Sequence, residues 1–173
     1  MAQIYISVGS NIDRAHYIQA GIDAMTALFG ELKVSSVFES EAVGFNGSAF
    51  YNLVVGADTQ LPAEEVAQCL KQIELENGRT PDSRKFSPRT LDLDLLLYDD
   101  LITHQGVQLP RDEIPHNAFV LWPLAELAPD KVHPILGKSY RVLWQNYDKS
   151  SQKLWKIPFN WKSSERNNQH DNA

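Results

Sequence analysis

Residues 88–98 read PRTLDLDLLLY, and the other segments of the chain can be placed around this run. From Leu91 to Tyr98 the residues are apolar and bounded by proline, which is typical of a β-strand. Successive side chains point to opposite faces of a strand, so the leucines and the aspartates separate. One face is expected to carry Leu91, Leu93, Leu95 and Leu97, and the other Asp92, Asp94 and Leu96.

The two aspartates of this strand are candidate magnesium ligands. Residues at i and i+2 lie ~7 Å apart along a strand, close enough for both carboxylates to lean toward one divalent ion or to flank two. Magnesium prefers such oxygen ligands and keeps water and phosphate in its other positions. The alternative is a solvated sheet face, or an ion pair with Arg89 just upstream. Aspartate is poorly suited to strands and two like charges repel, so metal binding is favoured.

The segments before this strand predict an α+β fold of the ferredoxin-like, split βαβ type. Alternation and apolar periodicity give the order β-α-β-β-α-β, an antiparallel sheet covered by helices. The predicted strands are residues 3–8, 32–38, 50–57 and 91–98. The predicted helices carry Ile18, Ile22, Met25 and Phe29 before Gly30, and Val66, Leu70 and Ile73 before Gly78. Further short helices are predicted at 117–127 and 138–146.

Composition favours one cytoplasmic domain. The chain has 173 residues, 43% of them hydrophobic, which suits a single domain over residues 1–162. Residues 163–173 are polar and predict a disordered tail. Cys69 is the single cysteine, so no intrachain disulfide forms. A net charge of −6 argues against a nucleic-acid partner. We see no signal peptide or membrane segment and expect a monomer.

Four further segments accompany residues 88–98 in a fixed order. They are Gly9-Ser10-Asn11, Phe50-Tyr51-Asn52, Glu74 followed by Gly78-Arg79, and Leu109-Pro110 followed by FVLWPLAELAPD at residues 119–130. Over residues 1–145, this set resembles the 6-hydroxymethyl-7,8-dihydropterin pyrophosphokinase family of the folate pathway. The family fold is the split βαβ arrangement that the pattern predicts.

The resemblance implies an enzyme that passes the β,γ-pyrophosphoryl group of ATP to the 6-hydroxymethyl oxygen of the dihydropterin, leaving AMP. ATP is then a co-substrate and Mg²⁺ the cofactor, with two ions held by Asp92 and Asp94. Arg79 and Arg89 become the catalytic residues that stabilise charge on the phosphates. The implied pterin-binding residues are Ser40, Val43, Gly44, Asn52, Phe86 and Phe119. The implied ATP-binding residues are Glu74, Arg84, Lys85, Leu95, Arg111 and His116.

Departures from the family pattern fall on the ATP side. The family commonly has arginine, Trp-Gly, histidine and arginine where this chain has Pro81, Phe86-Ser87, Arg111 and Asn117. These changes leave open a diverged relative that binds a pterin-like ligand with weak, altered or no transfer activity. A third hypothesis is a ferredoxin-like RNA-binding or protein-interaction domain, but Asp92 and Asp94 on the sheet face argue against RNA.

Overall fold

The computed structural model describes residues 1–41, 49–78 and 90–162. These residues form a sheet with helices on both of its faces, and the strands and helices are numbered in chain order. They are β1 (Ala2–Ser10), α1 (Arg14–Phe29), β2 (Lys33–Val34), β3 (Val37–Ser40), β4 (Phe50–Thr59), α2 (Ala63–Glu76), β5 (Asp92–Tyr98), α3 (Ala118–Leu127), α4 (Tyr140–Gln145) and β6 (Leu154–Ile157).

The sheet has the strand order β5-β1-β4-β3-β6, and β2 also pairs with β4. Every described strand pair is antiparallel. The predicted α+β, split βαβ fold with additional short helices is therefore confirmed. Two details differ from the prediction: the strand expected at residues 32–38 is divided into β2 and β3, and β6 was not predicted.

Alternate residues of β1, β4 and β5 form a core against α1 and α2. The apolar stripes that predicted the two helices supply the other half of this core. Its most buried members are Ile4, Ile6, Val8, Ile18, Met25, Leu53, Val55, Val66, Leu70 and Leu91. The first helix ends at Gly30, as predicted, because that residue takes a positive φ of 83° that favours glycine.

The opposite face of the sheet is covered by α3 and α4 over only part of its area. Tyr5, Val54 and Leu96 pack there against Leu121 and Leu124 in a second core. Farther along the same strands, polar residues and glycine replace the apolar ones. A candidate site lies on that uncovered part.

A β-bulge corrects the expected arrangement of the leucines. Tyr5 faces Leu97 and Ile6 faces Leu95, so β5 has one residue more than β1 between these pairs. An extra residue of this kind reverses the alternation of side chains beyond it. Leu97 therefore packs in the second core rather than with Leu91, and its predicted face was wrong.

The described chain ends in a segment that crosses the sheet edge. Strand β6 pairs with β3, and Phe159 then packs edge-to-face against Tyr51. The backbone of Lys162 exchanges two hydrogen bonds with the Gln19 side chain, at 2.8 and 2.9 Å. The predicted tail at 163–173 lies outside the described residues. Among the helices of the described ranges, none has the length and apolar character to cross a membrane.

Candidate functional site

Strand register brings three site residues side by side on the uncovered face. Gly9 of β1 faces Asn52 of β4 on one side and Asp92 of β5 on the other. Two residues along β1, Ser7 faces Asp94. Because directly opposed residues of antiparallel strands are ~5 Å apart, Asn52 and Asp92 lie within ~10 Å of each other.

Gly9 is required by the close approach of Asn52. A Cβ atom at position 9 would lie 2.9 Å from the Asn52 Oδ1 atom, closer than a Cβ atom packs against an oxygen. Asn52 is only 5% exposed, and its Nδ2 atom lies 3.5 Å from the Ser40 hydroxyl, a long hydrogen bond. Register and burial thus hold the amide at a fixed place on the sheet.

A cavity of about 580 Å³ lies over this row, and we call it the sheet cavity. Its size is within the range of small-molecule sites. Its floor is Ser7, Gly9, Asn52 and the two aspartates. Its walls are Ser40, Glu41, Phe50, Glu113, Phe119 and residues 150–154.

A second cavity, the edge cavity, lies beyond β5 and against α2. Its lining is rich in charge and contains five carboxylates against two cationic side chains. The carboxylates belong to Glu64, Glu74, Asp92, Asp94 and Glu113, and the cations to Lys71 and Arg111. The described part of this cavity therefore attracts cations and repels a bare polyphosphate.

Asp92, Asp94 and Glu113 line both cavities and so mark their junction. The two aspartates stand on one face, as predicted, and the Asp94 side chain is 34% exposed. Carboxylate oxygens in this position suit Mg²⁺. Within the described ranges, no group of three or more His, Cys, Asp or Glu side chains could hold a metal alone.

Arg111 connects this junction to the loop before α3. Its Nη2 atom lies 3.3 Å from Asp94 Oδ1, and its Nε atom donates to Glu113 Oε1 at 2.8 Å. The other carboxylate oxygen of Glu113 accepts from Asn117 Nδ2 at 3.1 Å. Burial lowers the pKa of the Arg111 guanidinium, but Asp94, Glu113 and Asp92 raise it by more. Arg111 is therefore a permanent cation beside the aspartates.

Two other residues predicted to bind ATP line the edge cavity. Glu74 is 7% exposed, and its Oε2 atom accepts a hydrogen bond from the Leu93 backbone at 2.7 Å, which joins the end of α2 to β5. Leu95 is 5% exposed and belongs mainly to the helix-side core. His116 is exposed and is not among the residues that line either cavity. Its carbonyl accepts from the Tyr147 hydroxyl at 2.9 Å.

Phe119 stands on the first turn of α3, half-buried, and contributes an aromatic wall to the sheet cavity. Gln152 lies opposite, and its Oε1 atom accepts a hydrogen bond from the Ala118 backbone N–H at 2.6 Å. Helix α3 and the segment before β6 are thereby joined at the cavity mouth.

Sequence reasoning overlooked several lining residues. Phe50 lies two positions before Asn52 on one strand, so alternation alone could have identified it. Glu113 gave no such signal, because its contact with Arg111 depends on the turn that follows β5. Residues 150–154 were missed because β6 itself was not predicted. The remaining predicted site residues lie outside the described residues; they are Val43, Gly44, Arg79, Arg84, Lys85, Phe86 and Arg89.

Comparison with known proteins shows the family of this chain. Residues 5–129 match the model of the family described as 7,8-dihydro-6-hydroxymethylpterin-pyrophosphokinase (HPPK). The chain is similar to the 2-amino-4-hydroxy-6-hydroxymethyldihydropteridine pyrophosphokinase of Aquifex aeolicus, with 37% identity over 80% of this chain and 88% of that protein. It is 40% identical to the protein of the same name from Pseudomonas aeruginosa, over 74% of this chain and 82% of the relative.

Solved structures share the fold. The HPPK-DHPS protein of Plasmodium falciparum matches 84% of this chain with a TM-score of 0.65 and 14% sequence identity. The chain spans 43% of that larger protein, so the likeness concerns one part of it.

Proposed function

Because the chain belongs to the 7,8-dihydro-6-hydroxymethylpterin-pyrophosphokinase family, we propose that its two cavities hold the two substrates of that family's reaction. The protein transfers pyrophosphate from ATP to hydroxymethyldihydropterin in folate biosynthesis. The hydroxymethyl oxygen bonds to the β-phosphorus of ATP and loses its proton. The bond from that phosphorus to the α-phosphate oxygen breaks, and AMP leaves.

The sheet cavity is the dihydropterin site in this proposal. Its volume suits a small bicyclic ligand, and Phe50 and Phe119 give its walls two aromatic side chains. The fixed amide of Asn52 faces the cavity and offers both a donor and an acceptor to the pterin edge. Ser40 adds a hydroxyl, and Phe119 adds a ring face for stacking. Val43, Gly44 and Phe86 remain proposed members on the strength of the family pattern.

The edge cavity is the ATP site, and its charge determines what else must bind. Five described carboxylates would repel a polyphosphate, so cations have to accompany the nucleotide. Arg111 is already in place as one of them. Residues 79–89 carry Arg79, Arg84, Lys85 and Arg89, which we propose as further phosphate contacts. Glu74 and Leu95 shape the wall behind the nucleotide.

We propose that Asp92 and Asp94 hold two magnesium ions at the junction of the cavities. Magnesium bound there supplies positive charge to the phosphates and the attacking oxygen. The side chains of this protein then have mainly to position the reactants, since phosphoryl-type transfer depends on alignment and charge neutralisation. Asn52 and Phe119 orient the pterin, whereas Arg111 and the proposed catalytic residues Arg79 and Arg89 orient the phosphates.

The observation that carries the proposal is the shared lining of the two cavities by Asp92 and Asp94. Incubation with ATP, Mg²⁺ and 6-hydroxymethyl-7,8-dihydropterin should yield one AMP per pyrophosphorylated pterin. Asp94→Asn should reduce turnover at least ~100-fold, because charge-stabilising groups at reaction centres are typically worth ~2.7–4 kcal/mol. Asp112→Asn is the matched control, since Asp112 is exposed and lines neither cavity. Pterin binding without AMP formation would instead indicate the diverged, non-transferring relative.

We propose that the enzyme acts as a monomer. A cytoplasmic location, where ATP is available, accords with this role. Analytical ultracentrifugation at working concentration tests the first statement, and a stable dimer would contradict it.

A further inference from the structure

The segment at residues 150–154 forms one wall of the sheet cavity without belonging to any motif of the sequence. It is fixed at both ends. At its start, the Asp148 carboxylate accepts hydrogen bonds from the backbone and hydroxyl of Ser150, at 3.0 and 2.6 Å. At its end, Leu154 pairs with Ser40, and the Lys153 carbonyl accepts from the Glu41 backbone at 3.2 Å. Gln152 is thus held at a defined place on the cavity wall.

Helix α3 begins opposite this wall, and one backbone N–H group of its first turn donates to a residue outside the helix. Asn117 occupies the N-cap position but makes no capping hydrogen bond with its own side chain within the described residues. Its Nδ2 atom donates to Glu113 instead. The first backbone N–H groups of a helix lack intrahelical partners. One of them, on Ala118, donates to Gln152 Oε1 at 2.6 Å.

We propose that Gln152 is a positioning residue for the dihydropterin, because it fixes the first turn of α3 and with it the ring of Phe119. The inference rests on the proposed function of the sheet cavity. Phe119 follows Ala118 directly and lines the cavity. When the Ala118 hydrogen bond is lost, a buried N–H group is left without its partner, and the start of α3 shifts so that the ring no longer has one orientation. The pterin then has to order this turn when it binds.

The effect should be confined to one substrate. The contact lies on the sheet-cavity side, whereas Gln152 does not line the edge cavity. Gln152→Leu keeps the size of the side chain and removes its acceptor oxygen. This variant should weaken dihydropterin binding about tenfold, equivalent to ~1.4 kcal/mol, with the KM for ATP unchanged. Gln152→Glu keeps an acceptor near the positive end of the helix and should bind within about twofold of the unmodified protein.

Equilibrium titration of 6-hydroxymethyl-7,8-dihydropterin into the full chain, with Mg²⁺ and a non-hydrolysable ATP analogue, tests the inference. Gln145→Leu is the control, because Gln145 is an exposed glutamine of α4. A double-mutant cycle distinguishes a positioning role of Gln152 from a purely structural one. In a Phe119→Leu background, Gln152→Leu should weaken binding less than twofold further.

Three results would overturn the inference. In the first, Gln152→Leu binds the dihydropterin as the unmodified protein does. In the second, it weakens both substrates equally as its Tm falls. In the third, its effect is undiminished in the Phe119→Leu background. Gln152→Asn, whose shorter side chain withdraws the acceptor, provides the same comparison if the leucine variant does not fold. Absence of pterin binding by the unmodified protein would contradict the proposed function itself.

Discussion

The sheet cavity and the edge cavity share two aspartates but are built by different means. Residues of the sheet cavity are held by strand register, as in the row of Asn52, Gly9 and Asp92. In the edge cavity, Arg111 is held by ion pairs with Asp94 and Glu113. The side chains of Arg111 and Asp94 are 40% and 34% exposed, whereas Asn52 is 5% exposed.

These differences determine which site is rigid. Exposed ion pairs contribute ~0–1 kcal/mol, so an incoming phosphate can displace Asp94 from Arg111 at little cost. A buried polar group that loses its partner costs ~1–3 kcal/mol, so the Asn52 amide keeps its orientation. We infer that the sheet cavity selects its ligand by a fixed shape, whereas the edge cavity rearranges around its ligand.

The largest effect is expected from a substitution that fills the floor of the sheet cavity. Gly9→Val introduces a Cβ atom that would lie 2.9 Å from Asn52 Oδ1. The added side chain displaces the Asn52 amide and occupies space on the cavity floor, so dihydropterin should bind about 10- to 100-fold more weakly while ATP binding is retained. Calorimetric titration of each ligand measures both values.

Gly56→Val is the matched control for that substitution. Its Cβ atom would contact the Tyr5 ring at 3.1 Å in the same sheet, away from both cavities. It should lower the unfolding free energy without changing pterin affinity. If Gly9→Val weakened the binding of both ligands equally, the two cavities would not be independent, and the contrast between them would be wrong.

A smaller effect is expected on the edge-cavity side. Arg111→Gln removes a charge-assisted phosphate contact and also releases the carboxylates that it now neutralises. ATP affinity should fall about 3- to 10-fold. The corresponding free energy is smaller than the ~1.5–3 kcal/mol of a full charge-assisted bond. Dihydropterin affinity should not change. Arg141→Gln is the control, because Arg141 pairs with the exposed Asp130 away from both cavities. An unchanged ATP affinity in Arg111→Gln would remove this residue from the nucleotide site.

The smallest effect concerns the scaffold that both cavities share. Glu126 of α3 accepts hydrogen bonds from the backbone and hydroxyl of Ser36, at 2.6 and 2.9 Å, and pairs with Lys156 of β6. Glu126→Gln should lower the unfolding free energy by ~1 kcal/mol and leave both ligand affinities unchanged. Burial raises the pKa of this carboxyl, but the bonds from Lys156 and Ser36 outweigh burial and lower it.

This pKa direction fixes the pH dependence of the Glu126 effect. A carboxyl with a lowered folded-state pKa binds fewer protons in the folded protein than in the unfolded chain. Its contribution is therefore complete above the unfolded value, ~4.3, and is lost as the pH falls through the folded value. Urea unfolding of the unmodified protein and of Glu126→Gln should give a difference in unfolding free energy at pH 7, and this difference should shrink below pH 4. A difference that grows in acid would contradict the assignment.

Local patterns predicted most of the fold and the two aspartates on the floor of the sheet cavity, whereas Asn52 was implied by the family resemblance and Ser7 and Gly9 were not predicted as site residues. The stripes of Ile18 and Met25, and of Val66 and Leu70, identified the two large helices because periodicity reflects burial directly. Alternation placed Asp92 and Asp94 together on one face. It was wrong at Leu97, since a bulge depends on how two strands pair and not on either strand alone.

Contacts between distant segments could not be predicted in this way. Gln152 reaches Ala118 across 34 positions from a segment beside a strand with no strong periodic signal. The unit of Arg111, Glu113 and Asn117 depends on a turn that brings side chains of residues 111–117 together. The sequence showed altered residues at 111 and 117, but only the structure relates both to the carboxylate between them.

The central claim is that Asp92 and Asp94 serve both cavities as the metal-binding junction. Electron paramagnetic resonance of Mn²⁺, a substitute for Mg²⁺, tests it when ATP and dihydropterin are titrated into the unmodified protein and an Asp92→Asn, Asp94→Asn double variant. The unmodified protein should bind Mn²⁺ more tightly once ATP is present. The double variant should lose this protein-bound signal and still bind dihydropterin. Unchanged Mn²⁺ binding in the double variant would contradict the claim.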